Sequence, residues 1–123
     1  MIGPANLDIT IYQGSDFQLP FVLEDVDGDP ISLSGASIAG KVRNDLDDAS
    51  PILTFVGTVT DGANGEGQIT ATAAVTAAIV LPASAAKKRP LTKYVYDVEV
   101  TYSGGTVARI LEGFCFFSPE VSK

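Results

Sequence analysis

Four groups of residues have types and spacings that could do chemistry. Ser84-Ala-Ala-Lys87 satisfies the S-x-x-K pattern in which a lysine helps to activate a serine nucleophile. Enzymes that use it add S-D-N and K-T-G elements and open a buried helix with the serine, whereas here neither element occurs and the pattern lies between prolines in a small, basic connector. Asp47-Asp48, and Asp97 with Glu99, offer the carboxylate pairs that glycoside hydrolysis places across a cleft. Asp97 and Glu99 fall on the outward parity of a strand, which is the spacing of solvated residues.

Asp25-Val-Asp-Gly-Asp-Pro30 presents carboxylates at alternate positions and invites a calcium reading. A calcium loop of the EF-hand type needs glycine at its sixth position and a bidentate glutamate at its twelfth. Counted from Asp25 those positions are Pro30 and Ala36, so a turn built on Asp27-Gly28 is expected instead. Cys115 stands among Phe114, Phe116 and Phe117, surroundings that raise a thiol pKa, and the chain has no histidine to activate it. The glycines at 62, 65 and 67 do not fit a dinucleotide fingerprint or a P-loop, and read as turn glycines. The expectation is therefore a protein with no catalytic residues, no cofactor and no metal, not an enzyme.

Bulk properties point the same way. A formal net charge of −7 sets up a field that repels phosphate backbones, so no nucleic-acid partner is expected. Lys87-Lys88-Arg89, a short basic run, reads as a solvated loop. One cysteine excludes an internal disulfide. No apolar run approaches the length of a membrane span, and Met1-Ile-Gly-Pro-Ala-Asn6 lacks the features of a signal peptide, so synthesis in a cytoplasm without membrane insertion is expected. A length of 123 residues suits one core, and residues 1–123 are taken as one domain.

The elements that would position these residues are strands. In the closing segment Tyr94, Tyr96, Val98, Val100 and Tyr102 share one parity while Asp97, Glu99 and Thr101 share the other, the period-two signature of a half-buried strand. Ser103-Gly-Gly105 then folds it back on Thr106–Phe117 as an antiparallel hairpin. Ahead of it, Leu7, Ile9 and Ile11 mark a first strand and Phe17, Leu19, Phe21 and Leu23 a second. Pro20 makes the second an edge strand, or turns its nitrogen away from any neighbour. Ser37–Arg43 reads as a third strand, with Ile38 and Val42 inward of Lys41 and Arg43. Ile52–Thr60 reads as a fourth, with a bulge at Gly57, and Gln68–Thr72 as a fifth. Between 73 and 81 the period becomes helical, with Thr72 or Thr76 as cap and Pro82 as stop, giving one or two turns that cross between sheets. These elements predict an all-β fold: an immunoglobulin-like antiparallel β-sandwich of about seven strands with one short helical crossover. The Cys-Trp-Cys signature of antibody domains is lacking, since there is one cysteine and no tryptophan.

Taken together, Ile11-Tyr-Gln-Gly-Ser-Asp-Phe17, Leu23-Glu-Asp-Val-Asp-Gly-Asp-Pro-Ile-Ser-Leu-Ser-Gly35, the strand Ile38–Arg43, Tyr96-Asp-Val-Glu-Val100, Gly105-Thr-Val107, Leu111-Glu-Gly-Phe114 and Ser118-Pro-Glu-Val121 resemble phage tail and baseplate structural proteins. The likeness is to the N-terminal immunoglobulin-like domain of baseplate upper proteins. It implies a structural role in the virion, docking other virion proteins as a homo-oligomer within a symmetric assembly, with no catalytic residue to carry over. Baseplate upper proteins continue into long trimerising regions and this sequence does not, so a tail component, adaptor or capsid decoration protein is equally implied. A carbohydrate-binding or adhesin sandwich is the alternative, resting on Tyr12, the aromatic on a polar parity. Contact segments are expected at Met1–Asn6, Asn44–Pro51, Ala83–Lys93 and Ser118–Lys123. The last strand breaks its alternation at Glu112, so a bulge at Gly113 is expected, exposing Phe114 or Phe117 for a neighbouring subunit.

Overall fold

The computed structural model describes residues 5–43, 51–79 and 92–118. Eight strands order themselves as β1 (Ala5–Asn6), β2 (Ile9–Tyr12), β3 (Phe17–Val22), β4 (Ser37–Arg43), β5 (Leu53–Asp61), β6 (Glu66–Ala71), β7 (Thr92–Thr101) and β8 (Val107–Ser118), with helix α1 (Ala73–Ala77) between β6 and β7. Neighbours run β1-β8-β7-β4-β5-β6-β3, and β2 also pairs with β8.

The sheet closes into a sandwich because β5 serves both layers. Its first part pairs with β4, from Leu53 opposite Val42 to Val56 opposite Ala39, and from Val56 onward it pairs with β6. At the changeover stands Gly57, where an added Cβ would lie 2.1 Å from the Ile38 carbonyl oxygen, so no side chain fits where β5 leaves β4. Gly57 is thus a close-approach glycine and not the expected bulge; the register slips further on, between Val59 and Asp61.

Two corrections concern strand number and direction. The expected first strand, taken from Leu7, forms only over Ile9–Tyr12 as β2, a separate short strand β1 lies ahead of it, and both run parallel to β8. The remaining named pairings are antiparallel, from β8 to β7 through to β6 with β3. β3 is an edge strand, as Pro20 requires. Leu23 N–H points at the Gly65 carbonyl, so by strand alternation the nitrogens of Gln18, Pro20 and Val22 face the open side, where proline's missing hydrogen costs no ladder bond.

Inward-facing side chains of both layers form the core. Ile9, Ile11, Val42, Phe55, Ile69, Tyr94, Tyr96, Val98, Val100, Leu111 and Phe117 are buried, and Phe17, Leu19 and Phe21 pack against them from the edge. Phe17 meets Phe55 with ring centroids 5.5 Å apart, and Tyr94 meets Phe117 edge-on at 5.3 Å. α1 ends sooner than the spacing suggests, at Ala77, and residues 80–91, with Pro82, lie outside the described residues. Its N-cap is Thr72, whose hydroxyl accepts from Val75 N–H, and Asp16 accepts from Ala73 N–H at 2.7 Å. Thr76, fully buried, accepts from Gly14 N–H and donates to the Ser15 carbonyl, which ties the helix to the β2–β3 turn.

Candidate functional site

The catalytic patterns of the sequence divide into those the structure places and those it does not describe. Ser84, Lys87, the run Lys87–Arg89 and the pair Asp47-Asp48 lie outside the described residues. So does most of each expected contact segment: only Ala5 and Asn6 of the lead, Pro51 of the acidic loop, residues 92–93 of the connector and Ser118 of the tail are described.

Asp97 and Glu99 face outward from β7, as their parity required. Asp97 meets Arg109 at 3.5 Å across the β7–β8 pair, and Arg109 also reaches Glu112 at 3.3 Å. With Lys41 and Arg43 from β4 these groups make a mixed-charge outer face on the β4–β7–β8 layer, open to solvent, where such ion pairs contribute little. Asp97 and Glu99 line a shared hollow on this face together with Lys41, Arg43 and Arg109.

Asp25, Asp27 and Asp29 bring carboxylate oxygens within 4.8 Å of one another, all exposed. Local geometry explains their position. One oxygen of Asp25 accepts from Asp27 N–H at 2.9 Å and Asp29 N–H at 3.0 Å, Gly28 N–H donates back to the Asp25 carbonyl, and Gly28 takes a left-handed φ of 85°. The expected turn on Asp27-Gly28 is what forms. Cys115 is fully buried, and burial pushes its thiol up to about 12, which leaves no thiolate near neutrality.

Several large apolar side chains also remain outward. Phe114 is 40% exposed, whereas Phe117 is fully buried against Tyr94. The expected break in β8 exists, but its position differs. The register slips between Val98 opposite Leu111 and Glu99 opposite Arg109, so Ile110 is the extra residue and Gly113 is not. The slip places Leu111, Cys115 and Phe117 inward and Glu112 and Phe114 outward. Gly113 has a different task. A Cβ there would lie 2.3 Å from the Leu7 carbonyl oxygen, because the chain between β1 and β2 passes directly over it.

Phe114 is held at this crossing. Its N–H donates to the Asp8 carboxylate at 3.0 Å, and the Lys93 ammonium sits 4.2 Å from its ring centroid, a cation–π contact. Beside it a shallow hollow of about 380 Å³ is lined by Asn6, Arg43, Val95, Arg109 and Glu112 among others. A second, more apolar groove of about 600 Å³ runs between the end of β3, the 24–31 turn and the β7–β8 hairpin, lined by Val22, Val26, Ile31, Tyr102 and Ile110. Tyr12, at the end of β2, is 61% exposed, as its parity implied. Among the described residues no helix is long and apolar enough to cross a membrane.

The family described as an LtfC-like, β-sandwich domain matches residues 3–114. No curated protein sequence matches the chain. Among solved structures the chain is similar to a mutant of the SrpA adhesin from Streptococcus sanguinis, with 12% identity and a TM-score of 0.48 over 91% of this chain and 55% of that one. It thus spans about half the length of the adhesin chain. It is also similar to murine CRIg, with 11% identity and a TM-score of 0.37 over 93% of this chain and 92% of that one.

Proposed function

The chain belongs to the LtfC-like β-sandwich domain family, and from that premise we propose that it is a virion structural component, a docking module repeated in the symmetric assembly of a phage tail, baseplate or adaptor. In this reading it catalyses nothing, takes no cofactor or metal, touches neither nucleic acid nor membrane, and passes from the host cytoplasm into the particle. The sequence likeness to the N-terminal domain of baseplate upper proteins supports it.

The observation that carries the reading is Phe114. A phenylalanine on the outward side of β8 gains nothing for the core. Yet its backbone is fixed by Asp8 and its ring by Lys93, so it is presented with little rotamer freedom left to lose on binding. The described groups with chemical potential serve the fold instead: Asp25 closes its own turn, Asp97 pairs with Arg109, and Cys115 fills the core. Rigid, exposed aromatic side chains ringed by polar groups are the anchors of protein interfaces.

Co-sedimentation of the purified chain with tails or capsids tests this. Wild type is expected to bind, and Phe114→Ala to lose binding while keeping its circular dichroism spectrum. A wild type that binds no particle component would contradict the reading. The carbohydrate-binding alternative has its own test in Tyr12: glycan binding lost on Tyr12→Ala would replace the proposal with that one.

A further inference from the structure

The groove between the end of β3, the 24–31 turn and the β7–β8 hairpin has an apolar floor, and its acids come from one wall, the turn. Val22 and Val26 are 56% and 83% exposed, and Tyr102 and Ile110 line the groove from the hairpin. A valine exposed at a turn, as Val26 is, contributes little to the core. Glu24 and Asp25 line the same groove, and the carboxylates of Asp27 and Asp29 lie within 4.8 Å of that of Asp25. Asp25 accepts both of its turn hydrogen bonds on one oxygen, Oδ1, so its second oxygen keeps its capacity to accept. Glu66, opposite Val22 in the β3–β6 ladder, adds an acid beside the groove. Among the described residues the cations are Lys41, Arg43, Lys93 and Arg109. Of these Arg109 alone lines the groove, and Asp97 and Glu112 already share it.

Resting on the reading of this chain as a docking module, we propose that the groove receives a segment of a partner protein in which apolar side chains are interspersed with lysine or arginine. Charge complementarity selects this occupant. An apolar side chain fills the floor beside Val22 and Val26, and a cation next to it meets Glu24 and the open oxygen of Asp25. An acidic segment would meet the like charges of the turn, and a neutral one would desolvate its carboxylates without giving them a partner. A volume of about 600 Å³ is that of a small-ligand pocket, so the groove admits a few side chains of a short segment and not a broad face. The apolar part then supplies most of the affinity, while the acidic wall supplies the choice of partner and a dependence on salt.

Fluorescence anisotropy of a labelled peptide alternating lysine and leucine, titrated with the purified chain, tests the proposal, and backbone amide NMR shifts locate the contact. Binding is expected, with shifts centred on residues 22–31 and 102–110 and an affinity that falls as salt rises. Peptides with glutamate in place of lysine, or serine in place of leucine, are expected to bind at least about tenfold more weakly. Val26→Ser should lower the affinity about fivefold and keep its salt dependence, whereas Glu24→Gln should lower it about threefold and reduce that dependence. Ser15→Lys makes the same change in net charge as Glu24→Gln, in the turn that precedes β3 and so at the far end of that strand from Val22, and should leave the affinity unchanged.

No binding of the lysine–leucine peptide up to about millimolar chain, equal binding of the glutamate peptide, or an equal loss in Ser15→Lys overturns the inference. Self-association of the chain that the peptide abolishes also overturns it, because the groove would then belong to a second copy. The docking reading fails separately: peptide binding as expected with no binding to any particle component contradicts that reading alone, and particle binding without peptide binding contradicts the groove alone.

Discussion

The hydroxyl of Tyr96 on β7 donates to the carbonyl of Leu7, a residue 89 positions earlier in the chain that crosses directly over Gly113. Gly113 lies opposite Tyr96 in the β7–β8 ladder, so the absent side chain of one makes room for the bond formed by the other. Leu7 N–H is held at the same crossing by the Glu112 carbonyl at 2.9 Å. The N-terminal strands are thereby clamped to β8 although their pairing is interrupted.

Breaking the clamp should be graded. Tyr96→Phe removes one partly buried hydrogen bond and is expected to cost about 1–2 kcal/mol. Gly113→Ala drives a methyl into the Leu7 carbonyl and must displace backbone, so it is expected to cost more, about 2–4 kcal/mol. Urea midpoints of the two variants against wild type give both values, and a Gly113→Ala as stable as wild type would contradict the close approach.

The buried thiol predicts an alkaline limit to stability. The Cys115 pKa rises from 9.0 to about 12 on folding, because burial disfavours the thiolate. The stabilisation is fully present below the unfolded value and is lost as pH rises through the folded one. Between pH 9 and 12 the unfolded chain sheds a proton that the folded chain keeps, at about 1.4 kcal/mol for each pH interval of one. Burial raises Tyr94 and Tyr96 in the same sense above pH 10. Denaturant midpoints should therefore hold steady to about pH 8.5 and fall steeply above pH 9. Cys115→Ala should be less stable at neutral pH by about 1–2 kcal/mol and show a shallower alkaline slope. A slope identical to wild type would show that the thiol titrates as it does in the unfolded chain.

The Asp25–Asp29 turn closes on itself. Millimolar calcium is accordingly expected to leave the melting temperature within about 1 °C, because a ligand that does not bind the folded state shifts nothing. Asp25→Ala, which removes the acceptor of two backbone N–H groups, should cost about 1 kcal/mol with or without calcium. A calcium-dependent rise in melting temperature that vanishes in Asp25→Ala would instead assign an ion to the three carboxylates.

The terminal hairpin was legible from sequence because one face of each strand is buried, so hydrophobicity repeats with period two and Ser103-Gly-Gly105 supplies the turn. Pro20 announced its edge, and Asp27-Gly28 its turn, through purely local chemistry. Gly57 and Gly113 were misread as bulges. Their cause is a strand remote in sequence, Ile38 in one case and Leu7 in the other, and a glycine shows only that a side chain is missing. The parallel pairing of β1 and β2 with β8 was equally hidden, since alternation tells which face is buried and is silent on direction. Exposure of Phe114 could be anticipated as one of two alternatives. Choosing it over Phe117 required the slip at Ile110, which no local residue signals.

Phe114 carries the strongest functional prediction short of the particle itself. Phe114→Ala should lower stability by only about 1 kcal/mol, from the lost Lys93 contact and the covered part of the ring, while reducing partner binding by at least about tenfold. Lys93→Ala should have the smaller effect on binding, because it frees the ring without removing it. Binding unchanged in Phe114→Ala would move the contact to another surface.

The most direct test of the proposed virion role is quantitative mass spectrometry of phage particles purified from cultures in which this chain is encoded and expressed. The account predicts the chain in the particles at a fixed copy number that is a multiple of the tail or head symmetry. Particles free of the chain, with all of it soluble in the lysate, would contradict it.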